Sequence, residues 1–234
     1  MPAIVLPGPA FLPPSDFLPR PTADGSLTLH SEALGEHYHS MFGAVAESEH
    51  VYIRQGFGSC VKQHLDLLEV GLGTGLNALL TLVEAQRSGR QVNYLALEPF
   101  PLPPDVIGAL DHPGSIGRPD LAGTFHRLMS AAPDETLSPF PGSTFRRSLA
   151  RVQDLEMKAA FDLVYFDAFA PKVQPEMWTA DVFRMLYAAM RPGALLVTYC
   201  AKGDVRRAMR DAGLMPELVQ GPPGKYKMLK AFRP

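Results

Sequence analysis

The chain has 234 residues, 46% of them hydrophobic and 20% charged, with a net charge of −2 and a pI near 6.4. This length and balance suit one α/β domain with an elaboration and exclude wholesale disorder. The near-neutral charge excludes any global pull toward nucleic acid or anionic membrane, so only a local basic patch can bind a polyanion.

In chain order, residues 1 to 22 are apolar but broken by prolines, which predicts an extended arm on the surface and neither signal peptide nor anchor. "SLTLHS" and "HVYIRQGF" predict two strands flanking a helical "GEHYHSMFGAVAESE". His37 and His39 within it, lacking a third ligand, predict a surface histidine pair and no metal site. Next come four short, nearly continuous apolar runs, at 66–70, 92–98, 161–167 and 193–200. Strands of a parallel sheet, buried on both faces, have this composition. Helical patterns at 75–88, about 178–190 and 203–212 alternate with them, which predicts a doubly wound, Rossmann-like sheet. The Pro- and Gly-rich stretch 101–143 interrupts the rhythm and predicts an inserted cap near the carboxyl ends of the strands. The expected organisation is a small β/α extension over 1–60 followed by a main domain over 61–234. Cys60 and Cys200 lack disulfide or zinc spacing, and no apolar run approaches the roughly 20 residues of a membrane span, so a soluble, cytoplasmic protein is expected.

The stretch "LDLLEVGLGTGLNALL" sets a glycine-rich turn between a strand and a helix, which is a cradle for a nucleotide-like ligand. A phosphate-binding loop needs a closing Lys-Ser/Thr pair, and the helix here begins "GLNAL". A dinucleotide fingerprint needs a third glycine where Leu76 stands. The remaining pattern, Glu69-x-Gly71-x-Gly73-x-Gly75, resembles motif I of S-adenosylmethionine-dependent methyltransferases. The resemblance assigns Glu69, Gly71, Gly73, Thr74, Gly75 and Asn77 to cofactor binding, and Glu98, ending the next strand, to the ribose hydroxyls.

A second stretch, "DAFAPKVQPEMWT" (167–179), is more specific. With "LEPFPL" (97–102), "KGDVRRAMRDAGL" (202–214) and "GPPGKYKML" (221–229), it resembles the methyltransferase part of the MnmC family and its stand-alone MnmD-like relatives. The family synthesises tRNA 5-methylaminomethyl-2-thiouridine. The resemblance covers most of residues 25 to 232. It implies methylation of the primary amine of 5-aminomethyl-(2-thio)uridine at the wobble position of the tRNA anticodon. It further implies a methyltransferase fold and S-adenosylmethionine as cofactor, with no metal. The flavin-dependent oxidase that follows in two-domain members, and its flavin, are not expected in this chain, so a separate enzyme would supply the amine. One departure stands out. The acid that family members usually carry after the third strand is absent from "FRRSLARVQDL", and Ser148, a backbone carbonyl or Asp154 reaching back from a helix is expected to take its place at adenine.

Asp167, ending a buried apolar run, is the best-placed acid to hold and deprotonate an amine. Phe169 and Pro171 read as a wall against a flipped pyrimidine. Eight basic residues lie between Lys202 and Arg233 against Asp204, Asp211 and Glu217, and predict a basic face for anticodon phosphates. Lys225, Tyr226 and Lys227 are its expected contacts. Two rivals are an aminopropyltransferase or other amino-methyltransferase of the same fold, and a non-catalytic RNA-binding module.

Overall fold

The computed structural model of the chain describes residues 15–234. Most of the expected proline-rich arm, residues 1–14, lies outside the described residues. The end of that arm is β1 (Phe17–Pro21), which pairs antiparallel with β2 (Leu27–Ser31); β3 (Glu36–His37) completes a three-stranded sheet. Pro19 and Pro21 fit there because β1 is an edge strand, where a missing N–H costs no ladder bond.

The stretch expected to be one helix followed by a strand is built differently. After β3 the backbone bends but stays tied to β2: Tyr38 N donates to Leu29 O at 2.9 Å and His39 N to Thr28 Oγ1 at 3.0 Å. A short helix α1 (Ala44–Ser48) follows and widens into a π-helical turn over Glu49–Arg54. The β-branched and aromatic composition of "HVYIR" favours a strand locally. Tertiary burial overrides it, because Val51 and Tyr52 are fully inside the main core only when the segment coils.

The main sheet has eight strands in the order β10-β11-β9-β8-β4-β5-β7-β6. Its centre is parallel: β4 (His64–Val70), β5 (Gln91–Leu97), β7 (Ser143–Ser148), β8 (Phe161–Phe166) and β9 (Met190–Thr198). The four expected apolar runs are four of these strands, and each is buried on both faces. In β8, Leu163 and Tyr165 enter one core while Val164 and Phe166 enter the other. α2 (Leu76–Ser88), α6 (Ala180–Ala189) and α7 (Gly203–Asp211) occupy the three expected helical positions.

The insert contributes α3 (Pro104–Gly108), α4 (His112–Ser115) and α5 (Ala122–Ser130); Ile107, Phe125 and Met129 of these helices, and Leu121 just before α5, join the larger core. It does more than cap the site, since it ends in β6 (Thr136–Phe140), which closes one sheet edge antiparallel to β7. At the other edge β10 (Met215–Gln220) and β11 (Lys227–Phe232) form an antiparallel hairpin against β9. Among the described residues no helix is long and apolar enough to cross a membrane.

β4 is hydrogen-bonded to both β5 and β8. The chain leaves β4 toward β5 and later returns to its other side, so the strand order reverses there. Ligands of open α/β sheets bind at the carboxyl ends of such a pair.

Candidate active site

The carboxyl ends of β4 and β8 are tied together at this reversal. Asp167 N donates to Val70 O at 2.9 Å, and on the other side Gly71 N donates to Leu97 O at 3.0 Å. The chain then turns through Gly71, Gly73 and Gly75, all at positive φ. Gly71 is required by contact: a Cβ there would stand 2.6 Å from the Asp167 carbonyl oxygen. Gly73 N, freed by the turn, donates to Glu98 Oε2 at 2.9 Å, and Phe100 N donates to Oε1 at 3.0 Å. Burial raises the Glu98 carboxyl above its usual range, and the two backbone donors pull it back. A cavity of about 1050 Å³ opens over this loop.

Behind the loop lies a chain of buried polar groups. Asn77, in the first turn of α2, donates from one Nδ2 to Glu69 Oε1 at 3.0 Å and to Asp167 Oδ2 at 2.8 Å. Tyr94 on β5 donates to the other Glu69 oxygen at 2.8 Å. Burial drives the Glu69 carboxyl well up, with the Asn77 and Tyr94 donors opposing. Asp167 is pushed up to about 6, first by burial; neighbouring Glu47 adds to the rise, while Tyr52, Asn77 and Lys225 oppose it. The Tyr52 hydroxyl lies beside this carboxylate but makes no hydrogen bond of good geometry. An acid at about 6 is mostly ionised at neutral pH and still basic enough to exchange a proton.

Aromatic side chains wall the cavity beside Asp167. Trp178 Nε1 donates to Phe169 O at 2.7 Å and Tyr199 Oη to Ala168 O at 2.9 Å, so both carbonyls of the turn after β8 are pinned. That explains why Trp178 follows at its distance in "DAFAPKVQPEMW". The Phe169 ring meets Tyr38 edge-on at 5.0 Å, and Lys172 pairs with Glu36 at 2.5 Å. The N-terminal extension thus forms one side of the cavity. Lys225 closes another side, with Nζ 2.6 Å from Glu47 Oε1 and 4.1 Å from the Tyr199 ring centroid.

Of the residues singled out in the sequence, Gly71, Gly73, Thr74, Glu98, Asp167, Phe169 and Lys225 line this cavity. Glu69, Gly75 and Asn77 do not; they lie one layer behind, where they set the loop and Asp167. Ser148, at the end of β7, is not on the wall either: its carbonyl accepts from Glu98 N at 2.8 Å. Asp154 is exposed and off the wall, and the cavity is instead lined there by Arg151, Val152 and Gln153. Pro171 shapes the turn without lining it, and Tyr226 and Lys227 lie in a neighbouring cleft.

The expected surface pair of histidines is half-buried at both positions and lines the cavity. His39 sits between Thr28 Oγ1 at 3.2 Å and Thr74 Oγ1 at 3.3 Å, with desolvation lowering it to about 4. Nor do the eight C-terminal basic residues share one face. Arg233 caps carbonyls of Tyr187, Ala188 and Met190 at the amino end of β9, and Lys230 is held by Gln55 and Ser59. Sequence reasoning missed Tyr38, Glu47, Gln153 and Tyr199. Glu47 carried no motif signal, because only the fold of the extension brings it to Lys225.

Residues 145–234 match the model of an S-adenosyl-L-methionine-dependent methyltransferase family. Over 213 residues the chain is 32% identical to the tRNA 5-methylaminomethyl-2-thiouridine biosynthesis bifunctional protein MnmC of Cupriavidus necator, covering 84% of this chain and 32% of that protein. It is 31% identical over 226 residues to the protein of the same name from Aeromonas salmonicida, covering 87% and 33%. The chain therefore spans about one third of the length of these relatives. Among solved structures, MnmC2 from Aquifex aeolicus superposes with a TM-score of 0.72 at 23% identity, covering 93% of this chain and 70% of that one. Spermidine synthase from Thermotoga maritima gives 0.52 at 11% identity, with 96% and 72% covered. The chain has the mixed α/β fold of S-adenosylmethionine-dependent methyltransferases and is similar, along most of its length, to one third of the bifunctional MnmC proteins.

Proposed function

We propose that the protein transfers a methyl group from S-adenosylmethionine to the primary amine of 5-aminomethyl-(2-thio)uridine at the tRNA wobble position. The observation that carries this reading is that the glycine loop with Glu98 and the Asp167–Phe169 turn open into one cavity. The residues fit the cofactor. The bare loop leaves room where a Cβ at Gly73 would crowd the Tyr38 ring at 3.3 Å, and the Glu98 carboxylate suits paired ribose hydroxyls. Gln153, on the wall where Ser148 is not, offers an amide whose donor and acceptor match the edge of adenine; it is the proposed substitute for the missing acid. When bound, S-adenosylmethionine supplies an electrophilic methyl group on a sulfonium.

The remaining work falls to this chain's side chains. A free alkyl amine, with a lysine-like pKa of about 10, arrives mainly as an ammonium ion, which has no lone pair. Asp167 accepts a hydrogen bond from it and fixes its direction, with positioning as its first role and proton acceptance as its second. A carboxylate also favours the ammonium form, but the Tyr38, Phe169 and Tyr199 walls and the positive Lys225 disfavour it. The Phe169 ring would stack on the extruded pyrimidine. A separate enzyme is expected to make the aminomethyl group, and Lys225 and its neighbours to meet the anticodon backbone.

Purified protein, S-adenosylmethionine and tRNA bearing 5-aminomethyluridine should yield 5-methylaminomethyluridine on nucleoside mass spectrometry. The same tRNA recovered unmethylated, from protein that binds the cofactor, would overturn the assignment.

A further inference from the structure

A second cleft of about 550 Å³ adjoins the first, and Lys225 lines both. Its walls come from two elements far apart in sequence. One is the π-helical turn Glu49–Arg54, which presents His50 and Arg54; the other is the turn "GPPGKYK" between β10 and β11, which presents Tyr226 and Lys227. Wide single turns of this kind inside helices recur at functional sites.

The second turn is built rigidly. Gly221 N donates to Tyr226 O at 3.1 Å and Lys225 N to Pro222 O at 2.9 Å. Gly224 has φ +79, and a Cβ there would overlap the Phe42 ring. His50 Nε2 ties the two walls together by donating to Gln220 O at 2.9 Å. This rigid frame holds Tyr226 with 88% of its surface in solvent. Lys227 Nζ lies 5.0 Å from the Tyr226 ring centroid, and among the described residues it makes no ion pair. Phe42, whose ring lies against Gly224 of the same turn, and Met41 are also exposed, and Met41 lines the main cavity.

We infer that this cleft holds the nucleotide next to the one in the main cavity, its base stacked on Tyr226 and its phosphate between Arg54 and Lys227. An aromatic face held in solvent beside cations is the combination that binds single-stranded nucleic acid, because every base has a face to stack and every nucleotide a phosphate. Lys225 stands where the backbone passes between the two clefts. The inference rests on the reading of the main cavity as the site of a flipped base.

Binding and turnover separate the two. A labelled anticodon stem-loop RNA should bind Tyr226→Ala roughly tenfold more weakly than wild type by fluorescence anisotropy. Tyr226→Phe should bind like wild type, since the ring is kept. Arg54→Ala should also weaken binding and flatten its salt dependence. With 5-aminomethyluridine as free nucleoside, KM should be unchanged in Tyr226→Ala, while KM for the stem-loop rises. Unchanged stem-loop affinity in Tyr226→Ala, or an equal loss in Tyr226→Phe, would overturn the stacking site. An acidic peptide that bound as tightly as the RNA, and lost affinity with the same substitution, would assign the cleft to a protein partner and overturn it too. If neither substrate is methylated but Tyr226→Ala still loses RNA affinity, the cleft stands and the proposed reaction falls.

Discussion

Asp167 combines two properties that are hard to hold together, access to the cavity and a carboxyl raised to about 6 by burial. Asp167→Asn keeps the shape and an acceptor for Asn77 but removes charge and basicity. Turnover should fall by at least about two orders of magnitude, with S-adenosylmethionine affinity, measured by calorimetry, within a few-fold of normal. Near-normal turnover would place alignment with other groups. A raised carboxyl also means that the folded state binds more protons than the unfolded one between about pH 4 and 6, so stability falls as pH rises through that window. Asn at 167 should therefore melt no lower than wild type at pH 8; a loss of folding would make Asp167 a turn cap instead. Asn77 acts on the same carboxylate from behind. Removing its donor in Asn77→Leu should raise the Asp167 pKa and move the acid limb of the rate profile to higher pH. An acid limb left in place would deny Asn77 that part.

The glycine loop joins β4 to α2, and its three glycines meet different neighbours. A Cβ at Gly71 would run into the Asp167 carbonyl and one at Gly75 into Met129, whereas one at Gly73 would only crowd the edge of Tyr38. Gly73 is thus the position where a side chain can block the cavity with least harm to folding, although its φ of +51 makes a β-branched residue cost roughly 1–3 kcal/mol. Gly73→Val should stay folded, by circular dichroism, and lose measurable cofactor binding. A folded Gly73→Val protein with unaltered affinity would remove the loop from the cofactor site. The turn after β8 works the other way, by pins. With the Phe169 and Ala168 carbonyls taken by Trp178 and Tyr199, the backbone that carries the Phe169 ring is held, and the ring itself packs edge-on against Tyr38.

Two features act on the molecule as a whole. His112, at the start of α4, is fully buried with both ring nitrogens unpartnered, and burial lowers it to about 3. Because the unfolded chain takes up this proton near pH 6.5, stability is present above that pH and is lost as pH falls, by up to about 1.4 kcal/mol per unit. Melting temperature should drop between pH 6.5 and 5, and His112→Phe should flatten the drop; an identical slope would show that other groups set it. The second feature is charge. With a net charge of −2, the proposed binding to tRNA falls to a local basic surface, and Lys225 and Lys227 beside the clefts are the proposed contacts. Lys225→Glu with Lys227→Glu should raise the tRNA dissociation constant and reduce its salt slope, with cofactor affinity nearly unchanged. Equal affinity and equal salt sensitivity would put the RNA on another face.

What the sequence by itself determined was the central sheet and its turns. Short apolar runs alternating with helical patterns read as strands buried on both faces, and the glycines at 71, 73 and 75 read as a tight turn because they alone adopt positive φ at little cost. Local chemistry also marked Glu98 and Asp167, since acids ending apolar strands come to rest at the carboxyl edge. Tertiary structure decided the rest. "HVYIR" became a helical turn because coiling buries Val51 and Tyr52 in the core. Glu69 and Asn77, both in the motif, went behind the loop, because β4 alternates its faces and α2 packs on the side away from the cavity. Glu47 and Lys225, distant in sequence, met through the docking of the extension on the β10–β11 hairpin. A spacing rule records which residues share a strand or a turn. Which wall of a cavity they reach depends on contacts between segments far apart in the chain, and no local pattern holds that information.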